Sequence, residues 1–122
     1  MIFFEKFTKK GRKIMHNDAM LRQLGYVPNP SLVSQFENIK NNTKEYTKIE
    51  KHIMDLHDHL KVNNSYVALS NSKDYLKIKI EAQTEALNEE AHEKVKHFSD
   101  KYKVQIEKLP QKDTYYILGF EH

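Results

Sequence analysis

Residues 75–102 read YLKIKIEAQTEALNEEAHEKVKHFSDKY, and the period of the apolar pattern changes inside this stretch. From Tyr75 to Gln83 apolar and polar residues alternate: Leu76, Ile78, Ile80 and Ala82 fall on one side, Lys77, Lys79, Glu81 and Gln83 on the other. Alternation with a period of two is the signature of a half-buried strand. From Thr84 the spacing turns helical, with Leu87, Ala91, Val95, Phe98 and Tyr102 three or four apart. Thr84 suits the N-cap and Glu85 the positive helix end. A strand feeding a helix that packs on its apolar side is the seed of an α/β sandwich. The competing reading runs one helix through 72–102, which leaves Ile78 off the stripe.

Downstream, 103–109 returns to alternation through Val104 and Ile106, and Pro110 is well placed at the second position of a turn. Residues 114–120, TYYILGF, are apolar on both sides, as befits a strand in the middle of a sheet. Upstream, 66–70 reads as a strand that pairs with 75–82 across a turn without glycine. Before it, Leu32, Phe36, Ile39, Thr43, Tyr46, Ile49, Ile53, Leu56 and Leu60 keep helical spacing from Pro30 to Lys61. This predicts one long helix of about 45 Å, started by Asn29-Pro30 and longer than a small sheet can cover. A short helix over 17–24, with Asn17 as its cap and Gly25 at its left-handed C′ position, precedes it.

The resulting expectation is an α+β domain over 15–122. A long N-terminal helix is followed by β-β-α-β-β, giving a four-stranded antiparallel sheet with two helices on one face. The order of elements is a permutation of the ferredoxin-like one, with strands 103–109, 114–120, 75–82 and 66–70 side by side. The alternative is a long helical hairpin with a C-terminal β-hairpin.

Charge is distributed unevenly. Of 20 basic and 17 acidic side chains, residues 1–13 hold five basic (Lys6, Lys9, Lys10, Arg12 and Lys13) and only Glu5, leaving 15 and 16 for the rest. Residues 1–14 are therefore an apolar and basic arm, with Ile2, Phe3, Phe4 and Phe7 before the lysines, attached to a neutral body. So short a run, with Gly11 inside it, makes a poor membrane anchor, and no membrane-surface role is expected. No apolar run approaches the roughly 20 residues a bilayer crossing needs. The start has no secretory pattern, and the cytoplasm is the default expectation.

Three glycines, Gly11, Gly25 and Gly119, cannot form a phosphate-cradling loop, and without cysteine there is no thiol nucleophile or thiolate metal site. No enzyme and no cofactor are expected. Glu89-Glu90-Ala91-His92 holds a single Glu-x-x-His, where a di-iron bundle needs two. His52, Asp55 and His59 lie at i, i+3 and i+7 on one side of the long helix. Imidazole and carboxylate are competent metal ligands, so a weak metal-binding helical protein is the third reading, although a solvated or partner-facing flank explains the same residues.

The first reading is a non-enzymatic module that self-associates as a homodimer, or binds a protein partner, through an open sheet face and the projecting helix. The face is expected to carry Tyr66, Tyr75, Lys77 and Lys79, with either Tyr115 or Tyr116 from the two-sided strand. The second uses the same tyrosines and lysines, with the basic arm, to hold single-stranded nucleic acid such as RNA.

Overall fold

The computed structural model describes residues 17–121. The basic arm, with Lys6, Lys9, Lys10, Arg12 and Lys13, lies outside the described residues. Helix α1 covers 17–23. It ends in a Schellman motif: Tyr26 N–H donates to Leu21 O and Gly25 N–H to Arg22 O, with Gly25 at φ +99°. Asn17 does not act as a simple cap. It is buried, donates to Glu37 and accepts from Lys40, so it ties α1 to the next helix.

Helix α2 (Pro30–Asn42) starts as its sequence dictates, with Asn29 Oδ1 accepting from Leu32 N–H at 2.8 Å and Pro30 at the first position. It then stops. The long helix expected over 30–61 is two helices, α2 and α3 (Tyr46–Leu60), separated by extended Thr43 and left-handed Glu45 at φ +48°. The cause is a distant one. Lys44 pairs with the last strand: its N–H donates to Leu118 O at 3.3 Å, and its carbonyl accepts from Phe120 N–H at 2.9 Å. At about 1.5 Å per residue the two helices span roughly 20 Å and 23 Å. The projecting helix is thereby replaced by two short ones that stay on the body.

Four strands follow: β1 (Tyr66–Leu69), β2 (Leu76–Lys79), β3 (Val104–Lys108) and β4 (Thr114–Phe120), with α4 (Glu85–Tyr102) between β2 and β3. The alternating stretch is therefore a strand, and the continuous helix over 72–102 is excluded. The long helical hairpin falls with it. The sheet is antiparallel and open, in the order β1-β2-β4-β3. Thr84 caps α4 by accepting from Leu87 N–H at 3.1 Å, and left-handed Lys103 ends it. The fold is α+β.

All four helices among the described residues put their apolar residues into one cluster with a single sheet face. Leu21, Phe36, Ile39, Ile49, Ile53, Leu60 and Val95 meet Val67, Leu76, Ile78, Val104 and Ile117 there. β4 changes face partway. Gln105 pairs with Gly119 but Ile106 with Ile117, so Leu118 is the extra residue of a bulge. A bulge flips the alternation, and as a result Tyr115, Ile117 and Phe120 all face the helices, while Tyr116 faces away. No helix among the described residues is long and apolar enough to cross a membrane.

Candidate functional site

No helix among the described residues lies over the second face of the sheet. Residues directly opposite on antiparallel strands share a face, and the register therefore lays out two rows there. One runs Ala68, Lys77, Tyr116, Glu107; the other runs Tyr66, Lys79, Thr114. The polar half of the YLKIKI alternation thus becomes the floor of an open surface.

Two turns give that floor walls. At one end the turn 70–75 folds over Tyr116. Ser72 Oγ lies 3.0 Å from Tyr116 Oη, the Tyr75 ring is tilted against the Tyr116 ring at 5.7 Å, and Lys73 Nζ stands over it at 5.7 Å. Helix α2 holds this turn, with Gln35 Nε2 donating to Ser70 O at 3.0 Å and Asn42 Nδ2 to Asp74 O at 2.9 Å. At the other end is the turn 109–113, with Pro110 at its second position and left-handed Gln111 next. Ile80 N–H donates to Asp113 O and fixes this turn to the end of β2.

Between the walls runs a groove of about 380 Å³. Lys77, Lys79 and Lys112 line it with four hydroxyls, those of Ser70, Ser72, Thr114 and Tyr116, and Asp113 is its one carboxylate. Lys79 Nζ is 3.6 Å from Glu81 and half engaged by it, and Tyr66 Oη reaches the same carboxylate at 3.4 Å. Lys77 and Lys112 have no carboxylate at ion-pair distance among the described residues. Hydrogen bonds from Ser72 and Ser70, helped by the charges of Lys73 and Lys77, pull the Tyr116 phenol below its usual range. Burial and Glu81 push Tyr66 the other way. The arrangement is equipped to hold a negatively charged, extended ligand: cations set along a strand, hydroxyls that donate, and tyrosine rings at the margin.

The six residues expected on this face are therefore divided. Tyr66, Tyr75, Lys77, Lys79 and Tyr116 come together, although Tyr116 is only 6% exposed beneath its turn. Tyr115 stands on the helix side, sent there by the strand's alternation. Lys73, Lys112, Ser70 and Ser72 were missed because they come from turns or their edges, whose direction over the sheet leaves no periodic signal; Thr114, at the start of β4, was missed as well.

The histidines of α3 lie elsewhere. His52, Asp55 and His59 line a cleft of about 530 Å³ between α3 and α4, with His97 and Glu93 on the opposite wall. His52 stacks on Tyr102, ring centroids 3.7 Å apart and planes within 10°. No three His, Asp or Glu side chains are grouped to hold a metal ion among the described residues. His92, the histidine of Glu-x-x-His, instead bridges Tyr115 and Asp113 at 2.6 Å and 3.2 Å. No protein-family model, no curated protein and no solved structure matches this chain.

Proposed function

We propose that the chain is a small binding module whose open sheet face holds single-stranded nucleic acid. The groove carries this reading. Lys77 and Lys79 are two residues apart on one strand and point the same way, about 6.6 Å from each other by strand geometry. That presents separate cations along a line, as the regularly spaced charges of an extended phosphodiester require. Lys112 continues the set from the facing turn. The hydroxyls donate to phosphate or ribose oxygens, and Tyr66 and Tyr75 supply ring faces for stacking at the groove margin. The cations of residues 1–13 add to the attraction in the intact chain.

The competing occupant of this face is a protein partner or a second copy. Its two reasons were a projecting helix and a strand apolar on both sides. The helix is broken at Lys44, and Tyr115, Ile117 and Phe120 are spent on the core. What remains partly exposed outside is Tyr66, Tyr75 and Leu118, with Ala68 buried and Tyr116 already covered by its own turn. That is little apolar surface for a stable interface, which normally has an apolar centre.

Fluorescence anisotropy of labelled oligouridylate or oligothymidylate, titrated with the full chain over a range of salt, tests the reading. The logarithm of affinity is expected to fall linearly with the logarithm of salt, by roughly 0.7 per phosphate contact for single strands. Lys77→Ala with Lys79→Ala is expected to weaken binding and lower that slope by about 1.4. Absence of binding at low salt, or an unchanged slope in the double variant, removes the proposal.

A further inference from the structure

On the helix side of the sheet, three separate elements bring together a phenol, an imidazole and a carboxylate. His92 on α4 lies with Nδ1 2.6 Å from Tyr115 Oη on β4, and with Nε2 3.2 Å from Asp113 Oδ1 in the turn before β4. Asn88 Nδ2, one turn earlier on α4, donates to Asp113 Oδ2 at 3.2 Å and holds the carboxylate. The hydrogen positions follow from chemistry. An ionised carboxylate only accepts, so Nε2 carries the hydrogen; a neutral imidazole has one N–H, so Nδ1 is a lone pair and the phenol donates to it. The order hydroxyl, imidazole, carboxylate is that of a nucleophile with an adjacent base, the base being oriented by a third group. Beside it opens a cavity of about 280 Å³, lined by Tyr115, His92, Glu93, Lys96, Ser99 and Ile106.

We propose that Tyr115 is an activated nucleophile that accepts the acyl group of an activated carboxylic ester entering this cavity, with His92 as its general base and Asp113 as the positioning residue. Tyr115 Oη attacks the carbonyl carbon while its proton passes to His92 Nδ1. The negative charge developing on the carbonyl oxygen is met by the Lys96 ammonium on the cavity wall. The tetrahedral intermediate collapses by breaking the bond to the leaving oxygen, and the imidazole returns the proton to that oxygen. The products are a tyrosyl ester and a free alcohol or phenol, with no change of oxidation state. Burial, together with the charge of Asp113, raises the Tyr115 phenol above its usual range, so the hydroxyl is not spontaneously ionised and depends on its base. Asp113 stabilises the imidazolium that forms and keeps the ring in the productive tautomer.

The site opens on the other side of the sheet from the nucleic-acid groove, since Tyr115 and Tyr116 point to opposite faces, and Asp113 in the turn before β4 borders both. Incubation of the full chain with p-nitrophenyl acetate at neutral pH, followed by peptide mapping by mass spectrometry, reads it directly. Tyr115 is expected to be acetylated on the order of 10²-fold faster than Tyr66 or Tyr75, the contribution of a positioned base. Tyr115→Phe is expected to lose that adduct. His92→Gln and Asp113→Asn are each expected to bring the Tyr115 rate down to that of Tyr66, with the circular dichroism spectrum and the labelling of Tyr66 unchanged. Should His92→Gln unfold the chain, Asp113→Asn decides, because that side chain is half exposed at 50% and not part of the core. Acetylation of Tyr115 no faster than of the other tyrosines, or an undiminished rate in folded Asp113→Asn, overturns the proposal.

Discussion

Gly119 adopts φ +147°, and a Cβ built on it would lie 2.6 Å from Lys44 Cβ and 2.7 Å from Lys44 N. Only glycine satisfies both the backbone angle and the close approach of the strap between α2 and α3. Gly119→Ala is expected to destabilise the fold by about 2–4 kcal/mol, through backbone strain and forced separation of β4 from Lys44; the urea midpoint measures it. His57 is a second residue whose role is set by its surroundings. It is 3% exposed, and its Nδ1 accepts Val67 N–H at 3.0 Å, which needs the neutral ring. Burial foremost, then the charge of Lys61, lowers its pKa, while Asp58 and a backbone hydrogen bond at Gln23 act the other way. The unfolded chain therefore takes up this proton before the folded one does. Stability from His57 is present above the ordinary imidazole pKa of about 6.5 and is lost as pH falls below it, by up to about 1.4 kcal/mol per unit. Denaturant titrations at pH 7.5 and pH 5.5 are expected to show that loss, and His57→Gln, less stable at pH 7.5, is expected to show a smaller one. A histidine between Leu56 and Asp58 has no sequence feature that marks it as buried; the neighbouring Leu56 and Leu60 already accounted for the stripe.

At the scale of elements, the ends chosen by caps were legible. Asn29-Pro30, Thr84 and Gly25 each sit where the sequence places them, because a cap acts within three or four residues of itself. The break inside 30–61 was not, since Thr43 keeps the apolar spacing and the interruption comes from a strand some 75 residues away. Helix α4 ends on Lys103 at φ +58°, a left-handed position that favours glycine. Its side chain holds none of the local hydrogen bonds: the Lys103 N–H reaches Ser99 O and its carbonyl accepts from Glu121 N–H. Lys103→Gly is thus expected to stabilise the protein by about 0.5–1 kcal/mol, relief of the left-handed strain outweighing the entropy of the added glycine. A rise of a few degrees in Tm checks it; a fall would show that the Lys103 side chain makes a contribution its backbone geometry does not reveal.

The whole molecule has one core and two unequal faces. Among the described residues all helices serve the core side of the sheet, and the other side is left to lysines, hydroxyls and tyrosines. If that face serves nucleic acid, the free protein has no need of a partner. Light scattering during size exclusion at micromolar concentration is then expected to return a monomer of 14.5 kDa. A dimer abolished by Tyr66→Ala with Leu118→Ser would give the face to a second copy instead.

What the sequence determined by itself was the part carried by short-range physics. The switch of period within 75–102, the caps, the proline turn and the central position of the TYYILGF strand all depend on neighbours a few residues away, and the antiparallel neighbours followed from them. Tertiary structure decided what depends on distant partners. Contact with Gly119 and its neighbours cut the long helix at Lys44; a one-residue bulge at Leu118 returned Phe120 to the core side; the turn 70–75 closed over Tyr116. The pairing of His92 with Asp113 and Tyr115 belongs to the same class. A period assigns a residue to a face, but a bulge changes the face without changing composition, and a hydrogen bond between α4 and β4 exists only once both are packed on the same core.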